Sequence, residues 1–158
     1  MIRRCTAADV ATIDAIINEA AEKYRGVIPD DCWHEPYMSR AELEREIAAG
    51  VNFSGWEEGG QLTGVMGVQR VKDATLIRHA YVRTSQQGKG IGGKLLKAFS
   101  SQVVGQLLIG TWADASWAIR FYQGHGFRLV PQQEKNRLLN TYWNISPRQR
   151  DTSVVLVR

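Results

Sequence analysis

The run Gln86-Gln87-Gly88-Lys89-Gly90-Ile91-Gly92-Gly93 separates an apolar stretch, Thr75–Val82, from a segment whose Leu95, Leu96, Phe99 and Val103 recur at helical spacing. A strand that runs into a helix through four glycines within six residues leaves its backbone bare at the junction. Glycine permits close approach and positive φ. The first N–H groups of the helix have no internal partner, and the helix dipole adds positive potential there. The junction is therefore an anion site of a size suited to a pyrophosphate. The alternative is a plain glycine-rich turn.

Three phosphate motifs compete for these residues. A P-loop needs Lys followed by Ser or Thr, but Gly90-Ile91 follows Lys89. The dinucleotide pattern Gly-x-Gly-x-x-Gly fits Gly88, Gly90 and Gly93, with Asp114 about 20 residues on. However, Arg83–Gln87 intervene between the strand end and the first glycine, and the strands upstream are hairpin-linked. The third pattern is Gln-x-x-Gly-x-Gly, on Gln87, Gly90 and Gly92.

The surrounding pattern predicts an α+β, three-layer architecture in one 158-residue domain. Ile2–Cys5 reads as a strand. Thr6 and Asp9 read as a capping box, opening a helix over 7–23 through Ile13, Ile16, Ile17 and Ala20. Tyr24–Met38 reads as a long loop with one short turn at most. Ser39 and Glu42 cap a second helix that ends at Gly50. Val51–Glu57, Leu62–Val71 and Thr75–Val82 form an antiparallel meander. After the glycine loop and its helix, Leu107–Thr111 returns as a parallel strand. Ser116–His125 is a helix stopped by Gly126, Phe127–Val130 resumes as strand, and Asp151–Val157 closes the sheet. Residues 1–50 form a substrate-side unit of helices and loop, and residues 51–158 a binding core.

With the loop motif and the downstream segment Ala118-Ile119-Arg120-Phe121-Tyr122-Gln123-Gly124-His125-Gly126-Phe127 in the right order, the chain resembles the GNAT superfamily of N-acetyltransferases from about Val51 to Val130. The resemblance implies a mixed, mostly antiparallel sheet with a splayed parallel strand pair and flanking helices. It implies acetyl-CoA as co-substrate, its pyrophosphate held by Gln87, Gly88, Lys89, Gly90, Ile91, Gly92 and Gly93. The backbone of Tyr81 and Val82 would pair with the pantetheine arm, and Phe121 would lie against the cofactor. Many family members place Asn three residues before the alanine matching Ala118; this chain has Ala115 there, with Ser116 as a partial substitute or a cap.

Acetylating an amine requires removing the amine proton, holding an oxyanion and protonating a thiolate. The resemblance assigns the oxyanion to the Val82 N–H and the proton donor to Tyr122. The base is open. Strict alternation puts Leu76, Arg78 and Ala80 on one strand face and Ile77, His79 and Tyr81 on the other. The family's base position falls on the Leu76 and Arg78 face, which offers none. His79 has suitable chemistry but the wrong parity, and Asp114 is a second candidate, with helix capping as its alternative role. A water chain is the third option. No metal is implied.

On the substrate side, Tyr24, Asp30, Asp31, Trp33, His34, Glu35 and Tyr37 put acids beside aromatics, with Trp112 and Trp117 near the mouth. Residues 1–50 hold six basic and ten acidic side chains, a balance of −4; the remainder hold fourteen and six, +8. Together these predict a cationic primary-amine acceptor on a small molecule or peptide. The basic residues are scattered and not interleaved with aromatics, which argues against nucleic acid as partner. No apolar run reaches the roughly 18 residues of a membrane span. Two widely spaced cysteines, Cys5 and Cys32, predict reduced thiols in the cytoplasm. Homodimerisation is left open. The rival from another class is a non-catalytic acyl-CoA-binding or regulatory module.

Overall fold

The switch from 3.6-residue to two-residue hydrophobic period after Gly50 becomes a sheet against which the amphipathic helices pack. The computed structural model describes residues 1–158. Its strands are β1 (Ile2–Arg4), β2 (Asn52–Glu58), β3 (Gln61–Val71), β4 (Ala74–Val82), β5 (Gln106–Trp112), β6 (Arg128–Leu129) and β7 (Ser153–Val157). Its helices are α1 (Val10–Ala20), α2 (Arg40–Ala48), α3 (Ile91–Ser100), α4 (Ser116–Gly124), α5 (Gln132–Tyr142) and α6 (Pro147–Asp151). One seven-stranded sheet results, in the order β1-β2-β3-β4-β5-β7-β6. Only β4 and β5 are parallel; every other pair is antiparallel. This is the mixed, mostly antiparallel sheet the resemblance implies.

Alternation along the central strands sorts the core into two faces. Ile77, Leu107, Ile109 and Leu156 pack with Leu95 and Leu96 of α3 and Tyr122 of α4. On the other face, Leu76, Leu108, Val155 and Val157 meet Leu138 and Leu139 of α5. Ile13, Ile16 and Ile17 of α1 and Leu43 of α2 cover Phe53, Leu62 and Val65. Each such fully buried side chain contributes about 1.5–3 kcal/mol. Both predicted caps form. The Asp9 carboxylate accepts from the Thr6 N–H at 2.7 Å and is gripped by Arg3 at 2.9 Å. Ser39 Oγ accepts from the Glu42 N–H at 3.1 Å.

Three sequence expectations are corrected. The helix expected over 7–23 is α1 flanked by 3-10 turns at Ala7–Asp9 and Ala21–Tyr24, so its regular core is shorter. Residues 131–150, left unassigned, contain α5 and α6. The closing strand starts at Ser153 because Asp151 still belongs to α6, and it inserts between β5 and β6.

β4 and β5 part midway along their length. Their ladder runs only from Ala74↔Gln106 to Ile77↔Ile109. At that point β4 carries a bulge: Gly67 pairs with His79 and Val68 with Ile77, leaving Arg78 unpaired. A bulge bends its strand and raises its twist, and β4 leaves β5 from there to Val82.

Candidate active site

Between the diverging ends of β4 and β5 lies a cleft of about 1100 Å³ that opens to both faces of the sheet. Its α3 side is the glycine loop. Gly88 and Gly90 both hold φ of +79°, and nothing lies within 4 Å of where a Cβ on either would stand. Gly90 is the residue before α3, so the free N–H groups of the first helical turn face this open space. Gly92 and Gly93 are glycine for a different reason. A Cβ on Gly92 would stand 3.4 Å from Phe121 Cζ, and one on Gly93 2.8 Å from His125 Nε2. Close contact between α3 and α4 thus holds the loop.

Gln87, Gly88, Gly90, Ile91, Gly92, Gly93, Tyr81, Val82, Phe121 and Tyr122 all line the cleft. Lys89 does not: its Nζ donates to Gln86 Oε1 at 3.0 Å, and Gln86 lines the cleft instead. Ser116 is exposed at the start of α4, outside the lining, and the capping position is Ala115 without a side-chain bond. Asp114 is exposed and also outside the lining. Neither is brought to the cleft, because β5 ends at Trp112 and the turn carries both residues outward.

The strand edge needs one refinement. The Arg83 N–H donates to Thr63 O at 2.8 Å, across to β3. In an antiparallel ladder, donors alternate sides, so the Val82 and Ala80 amides turn toward the gap while the Tyr81 amide faces β3. The bare edge is Ala80 and the Val82 N–H; the Val82 carbonyl accepts from the Gln87 side chain at 3.1 Å.

The bulge also overturns the parity expectation for β4. Ile77, Ala80 and Val82 share the α3 face, whereas His79 stacks on Phe53 on the α1 face beside Tyr81. One extra residue at Arg78 moves His79 to the face that Leu76 occupies, the face on which a base was expected. There His79 Nε2 lies 3.0 Å from Glu46 Oε1, a residue of α2. His79 Nδ1 is buried without a partner. Burial pushes the Glu46 carboxyl up. The His79 hydrogen bond and the charges of His79 and Arg78 outweigh that and leave it below its ordinary value. Sequence reasoning missed Glu46. Its signal was position: three residues after buried Leu43, it lies on the rim of the α2 core stripe.

Tyr122 lies against Phe127 and Phe121 in the core on the α4 side. Burial pushes its hydroxyl well above the usual phenol value, and no hydrogen bond holds it. On the α1 side, Tyr37 and Tyr81 hydroxyls meet at 3.1 Å. Tyr24 packs on Trp117 at 5.1 Å between centroids, and burial raises its hydroxyl to about 12. Trp112, Trp143 and Ile145 complete this apolar wall; the last two belong to the segment that the sequence left unassigned.

The acids of the Tyr24–Met38 loop point elsewhere. Glu35 pairs with Arg25 and accepts from Trp33 Nε1 at 2.8 Å, and Asp31 pairs with Arg148 at 3.2 Å. Only Tyr24 and Tyr37 of that loop reach the cleft, and its sole acid is Glu46.

The sequence matches the family profile described as "Acetyltransferase (GNAT) domain" over residues 13–141. No curated protein matches the chain. Among solved structures, the PaiA N-acetyltransferase from Thermoplasma acidophilum, in complex with coenzyme A, matches with a TM-score of 0.73 at 17% identity, over 100% of this chain and 97% of that one. The ribosomal-protein-S18-alanine N-acetyltransferase from Escherichia coli matches with a TM-score of 0.70 at 16% identity, over 99% and 91%. N-acetylglutamate synthase from Neisseria gonorrhoeae, complexed with coenzyme A and N-acetyl-glutamate, matches at 0.67 and 22%, over 100% of this chain and 34% of that one. At such identities the likeness is one of fold.

Proposed function

Because the chain belongs to the GNAT acetyltransferase family, whose co-substrate is acetyl-CoA, we propose that it acetylates a primary amine by direct attack within a ternary complex. The observation that carries this reading is the two-sided cleft. One side offers a helix N-terminus and a bare strand edge, and the other a carboxylate–imidazole pair among aromatics. The residues present fit acetyl-CoA. Gly88 and Gly90 leave open space at the free N–H groups of α3, and the unladdered edge at Ala80 offers backbone to an extended amide-bearing arm, while the Val82 N–H is left for the acyl oxygen. When bound, acetyl-CoA supplies an acetyl group activated as a thioester.

The chain's own residues then divide the work. The amine nitrogen bonds the acetyl carbon as the carbon–sulfur bond breaks. The Val82 N–H holds the negative charge that develops on the acyl oxygen. The Glu46–His79 pair receives the amine proton, with Glu46 nearer the open cleft and His79 more deeply buried. Tyr122 returns a proton to the leaving thiolate; its raised pKa keeps it protonated at neutral pH. Free Cys5 and Cys32 fit a reducing compartment, which we take to be the cytoplasm. No helix of the chain is long and apolar enough to cross a membrane.

The test is a free-thiol release assay with acetyl-CoA and a broad panel of primary amines. The expected result is amine-dependent thiol release with acetylated product by mass spectrometry. Tight acetyl-CoA binding with no release for any amine would favour the rival acyl-CoA-binding module.

A further inference from the structure

The acceptor side of the cleft contains a guanidinium with no hydrogen-bond partner. Arg78 is the bulged residue of β4, at the point where β4 and β5 part, and its side chain is 27% exposed into the cleft. The nearest acid is Glu46 Oε1 at 3.8 Å, outside hydrogen-bond range. That same oxygen is already taken by His79 at 3.0 Å. Arg78 thus presents its planar fork of donors to the cleft unspent. Such a fork matches a carboxylate bidentately, and that pairing is strongest where water is partly excluded.

The surroundings agree. Lys23 and Arg78 line this half of the cleft against the single acid Glu46, which His79 already engages. None of the loop acids that would have drawn a purely cationic acceptor lines the cleft, and Glu35 and Asp31 are paired outside it. The walls are apolar and aromatic: Tyr24, Tyr37, Tyr81, Trp143 and Ile145.

We propose that the acceptor is an amino-acid-type molecule: a primary amine that also carries a carboxylate, on an apolar or aromatic body. The carboxylate sits on Arg78, the body lies against Tyr37 and Trp143, and the amine turns toward Glu46 and His79. This proposal rests on the amine-acetylation reading above and narrows its acceptor.

The test compares L-phenylalanine, L-phenylalaninamide and phenethylamine as acceptors for the wild type, Arg78→Gln and Arg78→Lys. Acetyl-CoA affinity serves as the fold control. A lost charge-assisted pair is worth on the order of ten- to a hundred-fold in kcat/KM. The acid-over-amide ratio should therefore fall by about that factor in Arg78→Gln and recover in part in Arg78→Lys. The three acceptors differ in amine basicity, but that difference cancels when each ratio is compared between wild type and variant. An unchanged ratio in a folded Arg78→Gln protein overturns the proposal. If no amine is turned over, calorimetry of the same ligands on the coenzyme A-loaded protein still decides. Arg78-dependent binding of L-phenylalanine without turnover keeps the carboxylate site and refutes acetyl transfer; no binding refutes the site as well.

Discussion

Tyr122→Phe separates chemistry from packing at this site. The ring is buried against Phe121 and Phe127, and phenylalanine preserves those contacts. The hydroxyl is held by no hydrogen bond, so removing it forfeits none. Stability should stay within roughly 0.5 kcal/mol, the usual range for a change that breaks nothing named. Tyr81→Phe is the contrast. It loses the 3.1 Å contact with Tyr37 and should cost about 1 kcal/mol. For the reaction, loss of one general acid lowers the rate on the order of 10²–10⁴-fold, or about 2.7–5.4 kcal/mol of barrier. The drop should appear in kcat and kcat/KM together, because the proton is given only in the transition state. Burial holds the Tyr122 hydroxyl well above its ordinary pKa, so it is protonated throughout pH 6–9 and the deficit should be flat across that range. Rapid-quench single-turnover rates are the proper assay, since product release can mask the chemical step. Wild-type single-turnover rates for Tyr122→Phe across pH 6–9 would refute the reasoning and leave water as the donor.

Three further outcomes are expected. Gly90→Val forces a β-branched residue into φ +79°, at a cost of about 1–2 kcal/mol or more, with no clash in the open space around it. The fold should survive and acetyl-CoA affinity should collapse in calorimetry; unchanged affinity would remove the loop from the binding site. Arg3 and the Thr6 amide hold the Asp9 carboxyl well below the usual carboxylate range. A lowered folded pKa adds stability that is complete above the unfolded value of about 3.9 and disappears as pH falls through the folded one. Chemical denaturation should therefore show a wild-type advantage over Asp9→Asn that is constant above about pH 5 and shrinks below pH 4; a pH-independent gap would contradict the linkage. Burial pushes the Cys5 thiol up to about 11. Alkylation of a Cys32→Ser variant at pH 8 should thus be about a hundred-fold slower in the folded than in the unfolded protein, and equal rates would show that Cys5 is not so shielded.

Much of the fold was legible because its signals are local. The caps at Thr6 and Ser39, the change of period after Gly50 and the stop at Gly126 each rest on a few neighbouring residues. The segment after Val130 was not legible. α5 buries only Lys135, Leu138 and Leu139 in a stretch otherwise polar, so its hydrophobic stripe is narrow. Its helical state is set by docking onto Leu76, Leu108 and Val155, residues distant in sequence. Tertiary packing of this kind overrides propensity. The same segment supplies Trp143 and Ile145 to the wall of the cleft.

The site divides in the same way. The anion-binding half could be read because a glycine loop is contiguous and its chemistry belongs to the backbone. On the α1 side the aromatics Tyr24, Tyr37, Trp112 and Trp117 could also be named, but the placing of His79, Arg78 and Glu46 could not, because it turns on one residue's phase. A period-two reading of β4 is sound up to Ile77 and wrong after it, since the bulge at Arg78 shifts every later side chain to the opposite face. That shift brings His79 to Glu46, frees Arg78 into the cleft, and aims Ala80 and Val82 at the gap. The bulge occurs where the β5 ladder ends after Ile77↔Ile109. One irregularity thus opens the cleft and arms both its sides. The charge balance of residues 1–50 does not say which of its acids reach the cleft. Glu35 and Asp31 of its loop pair with Arg25 and Arg148, while the one acid that reaches the cleft comes from α2. What a side chain faces, and not the sum of charges on its segment, decides which charges line the cleft.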